Sequence, residues 1–209
     1  MKLFKQIVAI ASLAALSTSV NAQEIAPDTL IRSVSSDVLE IVRKDKEIQS
    51  GRTSKAIELV ETKVLPHFNF VRMTQLAVGK DWRQASADQQ KALASEFRTL
   101  LVRTYSKALT EYRNETLKFK PLTLKPEDTD ARVKTEINQS NGGKPISIDY
   151  FMERSAGGWK VYDIEIGGVS LVTNYRDTFG SEIRRSGIDG LIKLLQSKNQ
   201  VADASVAKK

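Results

Sequence analysis

Few side chains in this sequence have both the type and the spacing that chemistry needs. The 209 residues include one histidine, His67, and no cysteine. Two carboxylates, Asp163 and Glu165, are two residues apart on one face of a predicted strand, an arrangement that is compatible with a hydrolase. The same alternation is typical of a solvated outer face, and we interpret the pair in that way. We interpret His67 as a histidine at a helix junction that makes local hydrogen bonds.

The composition excludes most of the common sets of catalytic residues and most common metal sites. Without cysteine the chain has no disulfide, thiol nucleophile, cysteine-ligated zinc or iron–sulfur cluster, and one histidine is too few for a multi-histidine metal site. The segment around Ser170 does not match a nucleophile elbow, and no phosphate-binding or metalloprotease motif occurs. We therefore predict that the protein is not an enzyme and has no cofactor.

The N-terminal residues predict export. Residues 1–22 combine a positively charged start, an apolar core over residues 7–16 and small residues before Ala22, the pattern of a cleaved secretory signal peptide. The apolar core is too short to span a bilayer. We predict cleavage after Ala22 and a periplasmic location. Removal of Lys2 and Lys5 lowers the formal net charge from +7 by two, to +5.

The first half of the remaining chain has helical periodicity. Apolar residues recur at steps of three and four, and Asn69 and the capping-box sequence Ser86-Ala-Asp-Gln89 are start signals. Gly79 is a stop signal for the short helix that Asn69 begins. The predicted helices run from Pro27 to Gly51, from Thr53 to Pro66, from Asn69 to Gly79 and from Ser86 to Tyr112.

After Asn114 the apolar period changes from 3.6 to 2, which predicts strands. The four predicted strands run from Leu117 to Leu122, Ala131 to Asn138, Ile146 to Glu153 and Trp159 to Ile166. Gly167-Gly168 is predicted to end the sheet. Helical periodicity returns from Ser170 to Gly187 and from Ile188 to Leu195. Residues 200–209 are predicted to be a flexible tail. These patterns predict one α+β domain over residues 23–199, with a curved antiparallel sheet of about four strands and helices over one face.

The charge pattern argues against nucleic acid as a partner. The 32 basic residues are scattered among 25 acidic ones rather than concentrated in one stretch, and the predicted export signal points away from nucleic acid. A solvated surface, or weak attraction to anionic lipid head groups, is the interpretation that we favour.

The number of apolar side chains leaves two interpretations of the protein interior open. Apolar faces of the strands, the long helix and the last helices all compete for one interior, which is either an ordinary filled core or an apolar cavity. Tyrosine and tryptophan would suit the mouth of such a cavity, because each joins an apolar ring to a polar tip.

Two long segments, from Pro66 to Leu109 and from Gly157 to Leu195, resemble the MlaC family of periplasmic phospholipid-binding proteins, also called the toluene-tolerance family. The similarity runs from about Asp28 to Lys198. It is carried by Phe68, the stretch from Leu76 to Trp82, Phe97, Tyr105, Trp159, Tyr162-Asp163, Gly168-Val-Ser170-Leu and Tyr175-Arg176-x-x-Phe179.

The resemblance implies a fold similar to the NTF2-like fold, with an apolar pocket that holds phospholipid acyl tails. It also implies a periplasmic carrier that shuttles lipid between an outer-membrane lipoprotein–porin complex and an inner-membrane ABC transporter with an MCE-domain subunit, and so maintains outer-membrane lipid asymmetry. We expect a monomer.

Periodicity and resemblance together suggest which residues line this pocket. The predicted lipid-binding residues are Phe97, Leu101, Tyr105, Val133, Ile148, Tyr150, Met152, Trp159, Val169, Tyr175 and Phe179. A shift of strand register by one residue would move a whole strand's set to the other face. One alternative is an exported enzyme or small-ligand-binding protein on an NTF2-like scaffold, with Asp163, Glu165 or His67 in a polar pocket. Another is an exported chaperone or adaptor with a filled interior.

Overall fold

The computed structural model describes residues 24–112, 115–139 and 142–206, so the predicted signal peptide lies outside the described residues. The first half of this part is helical. Its helices are α1 (Pro27–Lys44), α2 (Lys46–Gln49), α3 (Thr53–Leu59), α4 (Phe70–Val78) and α5 (Ala87–Glu111). A π-helical turn (Val60–Val64) and two 3₁₀ segments (Leu65–His67 and Gly79–Gln84) connect α3 to α4 and α4 to α5.

Local sequence signals explain where the helices begin and end. The Asn69 side chain accepts a hydrogen bond from the Arg72 amide at the start of α4, and Gly79 ends that helix with a φ of 71°. Ser86 and Gln89 form both hydrogen bonds of a capping box at the start of α5. These predicted start and stop signals are confirmed. The side chains of Asn69, Ser86 and Gln89 bond to backbone amides at the helix starts, and Gly79 adopts the positive φ that ends α4.

The second half forms one antiparallel meander. Its strands, in spatial order, are β1 (Thr116–Phe119), β2 (Asp130–Asn138), β3 (Ile146–Ser155), β4 (Gly158–Ile166) and β5 (Val169–Ser170). The α+β class and the antiparallel sheet are confirmed, but the described sheet has five strands rather than about four. Gly167 and Gly168, with φ of 59° and 87°, turn β4 into β5. Two residues are too few to show a period of two.

The alternation predicted along β2 is confirmed. Ala131, Val133 and Thr135 are buried, whereas Arg132 and Lys134 are exposed. On β3 the pairing with β4 shifts between Phe151 and Met152, which is a β-bulge. The sheet therefore presents one apolar face to the helices over most of its length.

The chain ends in α6 (Thr173–Val206), which is interrupted at Gly187, where φ is 70° and ψ is −176°. The predicted break at this glycine is confirmed. Residues 200–206, predicted as the start of a flexible tail, continue this helix, and residues 207–209 lie outside the described residues. No helix in the described part of the chain has the length and apolar character required to cross a membrane.

Three apolar clusters hold these elements together. The first, the helical core, joins α4, α5 and α6 around Phe97 and Phe179. The second joins α1 to the sheet around Val133 and Met152, and the third joins α1, α2 and α3 around Val42. The candidate site lies where the three clusters meet.

Candidate functional site

An apolar cavity of about 350 Å³ lies between α1, the C-terminal part of α5 and the inner face of the sheet. We call it the first cavity. Most of its wall is aliphatic or aromatic. The apolar lining residues are Ile31, Val34, Val38, Leu39, Val64, Phe68, Ala108, Leu109, Leu117, Ile137, Ile148 and Ile164. Its polar lining residues are Ser35, His67, Tyr112, Glu115, Thr116 and Tyr150.

A second cavity of about 210 Å³ lies beside the first, against α4, α5 and the turn that follows α3. Tyr105 and Ser106 are the polar residues of its lining. The two cavities share five wall residues, which are Val38, Val64, Phe68, Leu109 and Ile164. They are therefore adjacent compartments of one apolar interior, in the size range of small-molecule sites.

The shared wall is held by the segment that connects α3 to α4. The π-helical turn carries Val64, and backbone of this kind is frequent at functional sites. Phe68 follows and forms a parallel bridge with Val161 of β4, next to a 2.8 Å hydrogen bond from the Asn69 amide to the Val161 carbonyl. These bonds fix the Phe68 ring between the two cavities.

Exposed lining residues mark where the cavities open. Ala108 and Thr116 line the first cavity and are exposed, and Tyr105 lines the second and is 36% exposed. Tyr105 and Ala108 lie three residues apart on α5, so they are neighbours on one face of that helix. Lining residues of both compartments therefore reach solvent along the same turn of α5.

Tyr150 carries a hydroxyl into the first cavity. It interacts with the hydroxyls of Ser35 on α1 and Thr135 on β2, which ties α1 to the sheet. Burial raises the pKa of Tyr150 to about 12. The residue is therefore neutral across the physiological range and acts as a hydrogen-bonding group rather than as a base.

His67 lies between the first cavity and a polar surface groove that also contains Lys160. Burial lowers the pKa of His67, and the positive charge of Lys160 lowers it further. The Lys160 ammonium donates a 2.6 Å hydrogen bond to the Pro66 carbonyl. Both effects favour the neutral imidazole, which is the form that an apolar wall accommodates at the lower cost.

The paired carboxylates line neither cavity. Asp163 accepts hydrogen bonds from the Ser170 hydroxyl at 2.5 Å and from the Val172 amide at 3.2 Å, so it holds the turn between β4 and α6. Glu165 pairs with Arg132 at 2.9 Å on the outer face of the sheet, beside Asp149 at 2.8 Å. Among the described residues, no group of three or more His, Asp and Glu side chains could hold a metal ion.

The structure divides the predicted lipid-binding residues into three sets. Ile148 and Tyr150 line the first cavity, and Leu101 and Tyr105 line the second. Val169 is 58% exposed on the short strand β5. The remaining six lie in solid core: Val133, Met152 and Trp159 between α1 and the sheet, and Phe97, Tyr175 and Phe179 in the helical core.

Comparison with known proteins identifies the family. The model of the family described as "MlaC protein" matches residues 32–197. The chain belongs to the MlaC family. It is 30% identical over 146 residues to the intermembrane phospholipid transport system binding protein MlaC of Haemophilus influenzae, a match that spans 68% of each chain. It is 27% identical over 135 residues to the toluene tolerance protein ttg2D of Pseudomonas putida, with 60% of each chain covered.

A solved structure of the same shape is a phospholipid-binding protein from Ralstonia solanacearum, determined in complex with a phospholipid. It is 37% identical in sequence, and the superposition has a TM-score of 0.78. The match covers 84% of this chain and 98% of the Ralstonia chain. The resemblance to the MlaC family inferred from the sequence is thereby confirmed.

Several cavity residues were not among those predicted from the sequence. Ile31, Val34 and Val38 on α1 belong to the apolar stripe of that helix, which was used only to predict the helix itself. Val64, on the shared wall, was likewise placed only in a helical stripe, and Leu109 lies within the helix predicted from Ser86 to Tyr112 but was not singled out. Their periodicity indicated that they face inward, but no local signal distinguishes a side chain that fills a core from one that borders a void.

Proposed function

We propose that this protein is a phospholipid carrier that holds acyl tails in its two joined cavities and leaves the head group at the shared opening along α5. The observation that carries this proposal is the pair of adjacent apolar compartments with a common wall. Support comes also from family membership, since one relative is named as a phospholipid transport binding protein and a structural neighbour was solved with a phospholipid.

The energetics explain why such a carrier is needed. At roughly 0.8 kcal/mol per methylene, exposing about thirty methylenes of two tails to water costs on the order of 25 kcal/mol. Unassisted diffusion of a phospholipid between membranes is therefore very slow. An apolar cavity removes most of this cost, and transfer to a partner is then close to an exchange between two apolar environments.

The cellular role that we propose follows the family. The carrier works in the periplasm after removal of residues 1–22, and it moves lipid between an outer-membrane lipoprotein–porin complex and an inner-membrane ABC transporter with an MCE-domain subunit. The transfer maintains outer-membrane lipid asymmetry. It needs no covalent step, and the carboxylates of the enzyme alternative, Asp163 and Glu165, are engaged in hydrogen bonds away from both cavities.

A cavity-filling substitution tests the carrier function. Ala108 has a small side chain on the wall of the first cavity, at its opening, so Ala108→Trp places an indole where lipid would lie. We expect lipid bound to the purified protein, measured by native mass spectrometry and lipid extraction after incubation with vesicles, to fall on the order of tenfold or more.

Ala87→Trp is the matched control, because Ala87 is exposed at the start of the same helix and lines neither cavity. This variant should retain lipid as the unmodified protein does, and both variants should have unchanged circular dichroism. A protein that comes out lipid-free and takes up none from vesicles would contradict the carrier function.

A further inference from the structure

One buried hydroxyl, on a residue that lines the second cavity, has no hydrogen-bond partner among the described residues. Ser106, on α5, is 2% exposed and lines this cavity, and its Oγ atom contacts no donor or acceptor among the described residues. A buried hydroxyl without a partner is costly, since it has lost its hydrogen bonds to water. A ligand in the cavity that supplied an acceptor would recover this cost.

Three threonine hydroxyls on the helices of this protein bond to their own helix backbone. Thr74 donates to the Phe70 carbonyl at 2.7 Å, Thr99 to the Ser95 carbonyl at 3.0 Å, and Thr110 to the Lys107 carbonyl at 2.8 Å. A hydrogen bond to a carbonyl of the preceding turn is the usual one for a serine or threonine hydroxyl within a helix. The Ser106 hydroxyl departs from this pattern, because it makes no such bond although its residue lines the cavity.

The walls of the second cavity restrict what this partner can be. Its lining, within the part of the chain that the structure describes, consists of apolar residues with Tyr105 and Ser106, and it contains no charged side chain. A phosphate or a carboxylate would be buried there without a counter-charge, at a high cost in free energy. A neutral acceptor such as an ester carbonyl is compatible with a single neutral donor.

The position of Ser106 along the lipid is consistent with an ester. In the sequence Ser106 lies between Tyr105 and Ala108, the exposed lining residues that α5 contributes to the cavities. In a glycerophospholipid the acyl-ester groups lie directly below the head group, at the top of the tails. A donor buried within one helical turn of the opening is thus at the level of these esters when the head group is at the surface.

We infer that Ser106 is a ligand-recognition residue that donates a hydrogen bond to an acyl-ester carbonyl of the bound glycerophospholipid. The inference rests on the carrier function and adds a chemical preference to it. The protein should distinguish ester-linked lipids from ether-linked lipids with the same chains and head group, because the ether lacks the carbonyl acceptor.

The test is a competition between two lipids. The purified protein is incubated with vesicles that contain equal amounts of dioleoyl phosphatidylglycerol and its dialkyl ether analogue, and the bound lipids are quantified by mass spectrometry. We expect the unmodified protein to bind the ester form about two- to tenfold better, the range of one neutral hydrogen bond. Ser106→Ala should bring the ratio close to one while total bound lipid stays high.

Thr99→Ala is the control, because it removes a hydroxyl from the same helix at a position that lines neither cavity. This variant should keep the ester preference. Equal binding of both lipids by the unmodified protein, or a full ester preference in Ser106→Ala, would overturn the role of Ser106 and leave the carrier function intact. Binding of neither lipid would contradict both.

Discussion

The two sides of α5 differ in how they use apolar side chains. Towards α6, Phe97 packs edge-on against Tyr175 and Phe179, with ring centroids 5.0 and 5.1 Å apart, and the space is filled. Towards α1 and the sheet, aliphatic residues such as Leu109 border two cavities. The packed rings fill the side of α5 that faces α6. On the side that faces α1 and the sheet the elements are held apart, and Phe68 lies between the two cavities.

This contrast shows that a filled region can support a hollow one. Side chains that border a void lose contacts on that side, so the cavity walls contribute less to folding than a solid core does. The helical core around Phe97, with the hydrogen-bonded sheet, compensates for that loss. The filled core and the candidate ligand cavities thus lie on opposite sides of one helix.

The largest expected effect comes from the same substitution on both sides of α5. Leu93 is fully buried in the helical core, so Leu93→Ala should lower the free energy of unfolding by about 3–5 kcal/mol. Leu109 already borders both cavities, and Leu109→Ala should cost only about 1–2 kcal/mol. Urea unfolding of the lipid-free proteins measures both values, and equal losses would refute the distinction between filled and hollow regions.

A second, smaller effect concerns the Tyr150 hydroxyl, which links α1 to the sheet beside the first cavity. Because burial raises the pKa of Tyr150 to about 12, the unfolded state releases this proton first as the pH rises above about 10. The stabilisation is complete below pH 10 and is lost between about pH 10 and 12, on the order of 2–3 kcal/mol. Tyr150→Phe, which has no phenol to ionise, should lose less stability over this range in urea titrations. Identical pH profiles would show that Tyr150 is not buried in solution.

The smallest effect is expected at His67, on the edge of the first cavity. Its lowered pKa means that the unfolded state binds the proton more readily, so stability should fall as the pH decreases below about 6.5. His67→Gln should be less sensitive between pH 7 and pH 5, as judged by the urea midpoint. A wild-type midpoint that rises on acidification would contradict the apolar surroundings of this residue.

Much of the fold could be predicted because its signals are local. The cap at Asn69, the capping box at Ser86, the break at Gly187 and the alternation along β2 each depend on a few neighbouring residues. The short strand β5 was missed because its pairing with β4 depends on the preceding glycine turn rather than on any pattern of its own. The same limit applies to α1. Its apolar stripe could be recognised from the sequence, but its position over the first cavity could not.

The sequence by itself determined the order of elements, the faces that point inward and the resemblance to the MlaC family. Which inward residues meet and which leave a space was decided only by the tertiary structure. Ile148 and Phe97 illustrate this, since both were predicted to touch lipid, yet one lines a cavity and the other packs in solid core. The physical reason is that periodicity records the direction of a side chain, whereas a void depends on the distance between elements that lie far apart in the chain.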